Sequence, residues 1–519
     1  MILEAYDFRD LLAPSNTQPI GIASLVQKYN LEVPVKNPCA VSVKSIFNNS
    51  KAVYEWQVFD KKYTTNNTDK AHIMFALRNE TIDLLFMKRF FEAVGPEPIE
   101  EWVKDEPTGS VSRKVWFLYE FLIDKKLDIP DSTVKAYADI LDAKTYFTTK
   151  GDISTRHRIR NNLLGTKEFC PIVRKTAKLS DFVGSRWDTQ AKDQVGKINP
   201  AIVARAASFM LLADSQASYQ IEGERPPRHR LERWMKVVSQ SGRREVTPSE
   251  LERLQLIVVE GDEFITPGLR KEGGFIGSRD HENNPMPEFV SAKHEDVPEL
   301  LAGILDANKK MADANVDSVI QAAITSFGFV FVHPFEDGNG RLHRYLMHHV
   351  LAENNFTPKG VTFPISSVLL NNQEEYADNL RAFSSPLLPY IEWAPTPGKN
   401  VVVNNETADL YRYGDYTEIA EFMYGCVAKT ISEDMPREML YLKCYDEAKS
   451  EVTNIIEMPD NTFSLLLNFV RQNDGKLAKR RREKEFAVLT DEDVSFIENT
   501  IADCFEPIDN PKSNHNPDP

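Results

Sequence analysis

The sequence predicts a mainly α-helical protein with one small β-hairpin. Three observations carry this: apolar residues at helical spacing in several long stretches, Pro and Gly at their ends, and one capping-box signature. In chain order, residues 1–180 read as mostly helical, with irregular or strand-like pieces near 30–65. HIMFALRNETIDLLFMKRFFEAV (72–94) keeps helical spacing throughout, and so does RKVWFLYEFLIDKKL (113–127). RHRIRNNLLG (156–165) is basic and reads as a solvated helix face. A long helix follows Asn199. Pro200 suits a first helical position, where no N–H is needed, and Gly223 with Pro226 and Pro227 stops the helix. Thr247, three residues before Glu250, opens another over 247–260. Gly273-Gly274 and Pro285 bracket FIGSRDHENNPMPEFV (275–290) as a hairpin or extended flap. Helices follow at 296–312, at 316–330, from about Gly340 to Glu353, and near 370–383. Past 400 the pattern is helical again, and the closing residues from Asn510 read as a disordered tail.

At 519 residues the chain exceeds one ordinary core. It divides into a mostly helical region at 1–180, a central region at 190–400 and a helical C-terminal region at 405–519. Lys plus Arg number 62 against 77 Asp plus Glu, for a net charge of −15. That balance argues against a protein that coats nucleic acid. The KRRR cluster at 479–482 is relieved by Glu483 and Glu485 and reads as a solvated helix face. Cys39, Cys170, Cys426, Cys444 and Cys504 are scattered, with no CxxC, which favours a reducing compartment over disulfides or zinc. The first residues lack a basic segment before an apolar run, so they do not read as a signal peptide. Runs such as FGFVFV (327–332) are too short to span a bilayer. A cytoplasmic protein is expected, with no membrane partner.

One stretch collects chemistry: VHPFEDGNGRLHRYL, Val332 to Leu346. Pro334 biases His333 away from helix, onto a loop that can present an imidazole. Asp337 is a hard oxygen ligand suited to Mg²⁺ on phosphates. Gly338-Asn339-Gly340 makes a tight turn whose N–H groups can converge on an anion, and the helix start that follows favours negative charge. Arg341 and Arg344, three apart, share a helix face, and arginine is suited to bidentate phosphate contact. Singly, each residue has a plain structural reading: a packing His, a turn-forming Asp, a solvated Arg face. Together they supply what phosphoryl-type transfer needs, which is charge neutralisation and a base. His343, His348 and His349 on the same helix lack a carboxylate at zinc spacing and read as packing residues.

His333-Pro-Phe-Glu-Asp-Gly-Asn-Gly-Arg-Leu-His-Arg344 resembles the signature of the Fic (Fido) family, HPFx[DE]GNGRxxR, at every specified position. The resemblance implies a helical Fic core over about 245–395 and a protein adenylyltransferase, which moves AMP from ATP to a Ser, Thr or Tyr hydroxyl of a target protein. It implies His333 as base, Asp337 on Mg²⁺, and Gly338, Asn339 and Gly340 as the anion hole. Arg341 would contact the phosphates and Arg344 the γ-phosphate, with Phe335 as a core anchor. It also directs attention to [ST]xxxE[GN], the family's inhibitory motif. Ser218-Tyr-Gln-Ile-Glu222-Gly223 matches it at the end of the 200–223 helix. A carboxylate there meets the negative end of the helix dipole and gains by finding a cation. Arg344 would be that cation, and the γ-phosphate would be displaced.

Ile276, Gly277, Ser278 and Arg279 fit the family's flap, which lines up a target segment by strand addition. Tyr376 falls where relatives place a Tyr near adenine, and a buried aromatic core residue is the competing reading. The resemblance leaves room for self-modification and a homodimer. Two rivals remain: removal of AMP by the same site, with Glu222 positioning water, and a catalytically silent interaction module. Residues 1–180 and 405–519 yield no function of their own beyond target docking or scaffolding.

Overall fold

The computed structural model describes Phe8, residues 11–259 and residues 265–509. The tail expected from Asn510 lies outside them. At the centre stands the helix Ser318–Val332, apolar on every face and buried along nearly its whole length. Asp317 caps it by accepting the Val319 and Ile320 N–H groups. The helices Val297–Asp313, Asn339–Glu353 and Thr417–Lys429 pack around it. The long helix runs Pro200–Gln220, and Asn199 caps it at the Ala201 N–H. Pro248–Val259 is opened by Thr247, whose Oγ1 accepts from the Glu250 N–H at 3.1 Å, as the capping box requires. The hairpin is present as two antiparallel strands, Phe275–Arg279 and Pro285–Val290, with a bulge between Ile276 and Gly277. Near 370–383 lie two helices, Ile365–Asn371 and Gln373–Ser384.

The N-terminal region carries helices and also two small sheets. The first orders its strands Thr17–Pro19, Cys39–Ser42, Trp56–Phe59, Ser50–Val53; the second, Ala138–Asp139, Ile159–Asn161, Asp152–Ser154. Two expectations are corrected here. The 72–94 stretch is two helices, Asp69–Asn79 and Leu84–Val94. The break falls where Asp83 accepts the Phe86 N–H and Glu80 accepts the Ile22 N–H, so side chains that satisfy two helix starts override an apolar period that runs straight through. The 156–165 segment is not a solvated helix face but holds the middle strand of the second sheet. Its cations are ties: Arg156 and His157 both bind Glu120, at 2.9 and 3.0 Å, and Arg156 lies over Trp116. Basic composition signalled exposure, and long-range partners reversed it.

One continuous apolar core joins Trp56, Phe86 and Trp116 of the N-terminal region to Phe327, Val350 and Met423. A second lies beneath the motif, from Tyr219, Trp234, Leu254, Phe335 and Leu346. A third belongs to the C-terminal helices, with Phe463, Leu467, Ile497 and Phe505. The helix Met435–Ile455 serves two of them, Met435 and Leu442 facing the first and Cys444 and Val452 the third. The basic cluster forms the short helix Lys479–Glu485; Arg481 pairs with Glu485 and Arg482 with Asp491. All five cysteines are free. Among the described residues no helix is long and apolar enough to cross a membrane.

Candidate active site

His333 ends the central helix in the left-handed conformation, φ 54° and ψ 62°, which turns the chain out of the helix and into Pro334. Its Nδ1 faces the Val330 carbonyl at 3.4 Å and so carries the proton in this contact, while Nε2 meets no partner among the described residues. Burial first, and the Arg270 cation second, hold the imidazole down at about 4. His333 is therefore neutral near pH 7, with one lone pair available.

The next residues are fixed from inside. Phe335 is fully buried in the second core. The Asn339 side chain accepts the Phe335 N–H at 3.0 Å and donates to the Phe335 carbonyl at 2.8 Å, so it staples the loop and leaves only its backbone for an anion. Gly338 has φ 91°, and a Cβ there would press on Val258. Asn339–Glu353 follows as a helix, and its start presents the backbone N–H groups of 338–340. Asp337 receives the Arg341 Nη2 on both oxygens, at 3.2 and 3.1 Å, and its side chain stays 41% exposed.

Both arginines of the motif are almost wholly buried, and both are met by carboxylates. Arg344 Nε donates to Ser218 Oγ at 2.8 Å, and its Nη2 donates to the Ser218 carbonyl and to Glu222 Oε1, each at 2.6 Å. Arg341 pairs with Glu222 Oε2 at 2.9 Å, Glu224 at 3.0 Å and Asp337 at 3.1 Å, and lies over the Tyr219 ring. Burial works against its charge, but Glu222, Asp337 and Glu224 outweigh it and raise its pKa. Glu222 thus bridges the two cations. A Cβ at Gly340 would collide with Glu222 Oε1, so the glycine leaves room for the carboxylate. Gly223 follows with φ 75°, ending the turn after the long helix.

The structure thus brings His333, Asp337, Gly338, Asn339, Gly340, Arg341 and Arg344 together with Ser218 and Glu222. Ile276, Gly277, Ser278 and Arg279 are exposed on the hairpin, and Arg279 donates to the carbonyls of Lys399 and Asn283. Among the described residues no hydrogen bond or ion pair joins these four to the motif. The hairpin's other strand does approach it, Phe289 lying against Phe331 two residues before His333. Tyr376 is buried, stacked on His343 and Phe422; burial pushes its hydroxyl to about 12, while Arg344 draws it the other way. His343, His348 and His349 are buried packing residues as expected. His343 bonds the Ser326 carbonyl at 2.7 Å, and His348 pairs with Asp214 at 2.9 Å. A cavity of about 360 Å³ opens elsewhere, between Trp56, Glu80, Asp83 and Asp415.

Sequence reasoning missed Asp214, Glu224 and Arg270. Asp214 was findable: 214, 218 and 222 recur at i, i+4, i+8 and meet His348, Arg344 and both arginines in turn. Glu224 lay immediately after the Ser218–Gly223 pattern. Arg270 left no signal, because its side-chain partners are backbone carbonyls.

Residues 246–351 match the Fic/DOC family model. The chain is 30% identical over 125 residues to protein adenylyltransferase fic-1 of Caenorhabditis elegans, covering 24% of this chain and 22% of that protein. Against the Caenorhabditis briggsae protein of the same name it is 29% identical over 126 residues, with the same coverage. Against an Aquifex aeolicus protein named as a probable protein adenylyltransferase it is 26% identical over 227 residues, 42% of this chain and 60% of that one. The chain therefore spans about a fifth of the two nematode relatives. Among solved structures, a Fic domain containing signaling protein from Bacteroides thetaiotaomicron aligns with 16% identity and a TM-score of 0.34, over 51% of this chain and 96% of its own. A Fic family protein from Desulfovibrio desulfuricans aligns with the same identity and TM-score, over 66% and 94%. The HPFEDGNGRLHR signature, folded as a loop running into a helix inside the matched segment, places residues 246–351 in the Fic/DOC family.

Proposed function

We propose that this chain is a protein adenylyltransferase held back by Glu222. The observation that carries the reading is the placement of His333, its Nε2 unpartnered among the described residues, on the loop that leads into a helix start bearing two buried arginines. The target hydroxyl would give its proton to His333 Nε2 as its oxygen bonds the α-phosphorus of ATP. The bond from that phosphorus to the bridging oxygen breaks, and pyrophosphate leaves. The N–H groups of 338–340, with Arg341 and Arg344, would carry the phosphate charge. The adenylyltransferase names of the relatives support the AMP group.

A divalent ion fits Asp337 in one way only. Among the described residues no three metal-capable side chains gather. A single, partly open carboxylate suits an ion that draws its other oxygens from phosphate and water, as Mg²⁺ does. When bound, that ion would neutralise phosphate charge. In this state Asp337 and Arg341 neutralise each other, and Glu222 occupies both arginines, which supports restraint of ATP binding.

The test is label transfer from α-labelled ATP and Mg²⁺ to lysate proteins. Weak transfer is expected from the parent. Glu222→Gly should raise it about 5- to 150-fold, the span of ordinary coupling free energies. His333→Ala in that background should lower it by about 10²–10⁴. Equal signals from all three would favour a silent interaction module. Glu222-dependent release of AMP from pre-labelled protein would favour removal of AMP.

A further inference from the structure

We propose that Arg270 is the positioning residue that ties the flap to the loop bearing His333, so that hairpin and base move as one body. Arg270 is 8% exposed and has no carboxylate partner among the described residues. Its guanidinium spends its donors on backbone carbonyls: Nε on His333 at 2.6 Å, Nη1 on Glu272 at 2.6 Å, and Nη2 on Val332 at 3.3 Å and on Ala292. A buried cation is tolerated only when its donors are met, and the planar fork of arginine can reach several acceptors at fixed angles.

The identity of those carbonyls gives the arrangement its meaning. Glu272 and Ala292 lie just outside the two strands Phe275–Arg279 and Pro285–Val290. The hairpin's base is closed by Ser291, whose N–H and Oγ both donate to the Gly274 carbonyl, at 2.9 and 2.8 Å. One side chain therefore grips both ends of the hairpin. On its other side it holds Val332 and His333, while its own N–H donates to the Pro334 carbonyl at 3.0 Å and Leu269 bridges to Phe335. His333 needs such support. A left-handed backbone is uncommon outside glycine, although histidine takes it more readily than most residues, and here the Arg270 bonds hold it in place.

The cation also acts on the imidazole. The charged groups acting on His333 are Arg270 and Asp337, and Arg270 is, after burial, the larger influence keeping it neutral. The groups acting on Arg270 itself are Tyr411 and Glu295, whose pull is weaker than burial, and it remains charged near neutral pH.

Arg270→Lys keeps the charge and loses the fork; Arg270→Met loses both. Hydrogen exchange on the full chain, with a cooperative melt confirmed for each variant, reads the tie. Amides of 272–292 and of 331–335 should speed up together in both variants, by at least about tenfold. Acceleration of one segment alone, or of neither, overturns the proposal. Histidine-labelled NMR, with His333 assigned from a His333→Gln spectrum, reads the charge. The His333 midpoint should rise in Arg270→Met and stay near the parent value in Arg270→Lys. An identical midpoint in all three overturns the electrostatic part, and neither measurement requires activity.

The activity arm rests on the adenylyl-transfer reading. In the Glu222→Gly background, Arg270→Lys should lower kcat by about 10²-fold, the cost of a misplaced group, at unchanged KM for ATP. If that background shows no His333-dependent transfer, the functional reading falls, while exchange and titration still decide on Arg270.

Discussion

His333 shows how far one residue's chemistry depends on its neighbours. Motif order marks it as the base, but its usefulness comes from burial, the Arg270 cation and the Nδ1 contact to Val330, which leave Nε2 as the acceptor. Its folded value of about 4 lies below the 6.5 of an ordinary imidazole. The base form then persists as pH falls, and the acid limb of kcat/KM in the Glu222→Gly protein should lie below pH 5. A midpoint near 6.5 in a pH series would contradict this. The same shift has a stability sign. Between the two values the unfolded chain binds the extra proton, so this residue's contribution is lost as pH falls from 6.5 toward 4. Spacing alone could name the imidazole but not its tautomer or its affinity for a proton.

Between elements, the long helix Pro200–Gln220 and the motif helix Asn339–Glu353 are joined by a polar ladder rather than by packing alone. Asp214 receives His348 on one oxygen and the Ser366 N–H on the other, and Ser218 and Glu222 follow one and two turns later on Arg344. Asp214 and His348 are both buried, so removing one partner strands the other. Asp214→Ala should cost about 1–3 kcal/mol of stability, the penalty for leaving buried donors unmet. It should also raise label transfer, because it loosens the helix that seats Glu222. An unchanged melting temperature with unchanged transfer would show that the ladder holds nothing. The helix itself was readable from Pro200 and Gly223; its partner face was not, because apolar spacing says nothing about which polar residues pair across helices.

Across the molecule, residues far apart in sequence share one core. Trp56, Phe86 and Trp116 pack in the same apolar body as Phe327 and Met423, and Arg174 of the N-terminal region pairs with Asp415 at 2.9 Å. Cutting away the first 189 residues would expose that face to water, at about 25 cal/mol for each Å² uncovered. A 190–519 fragment should therefore aggregate or melt without cooperativity in light scattering and calorimetry. A monodisperse, cooperatively melting fragment would refute this. The C-terminal helices bury their own apolar set, and Arg205 of the long helix pairs with Asp446 at 2.5 Å, so that region also touches the helix Pro200–Gln220.

The sequence alone determined the helical class, the hairpin and the loop-to-helix run of 333–344, because these rest on local spacing, turn residues and a motif contiguous in the chain. Ser218 and Glu222 were legible for the same reason. Only the tertiary structure decided that 72–94 breaks at Glu80–Asp83, that the basic 156–165 segment forms a strand, and that Arg270 clasps the flap to His333. Each of those outcomes depends on a partner far along the chain or on a backbone carbonyl, and neither leaves a trace in the order of side chains.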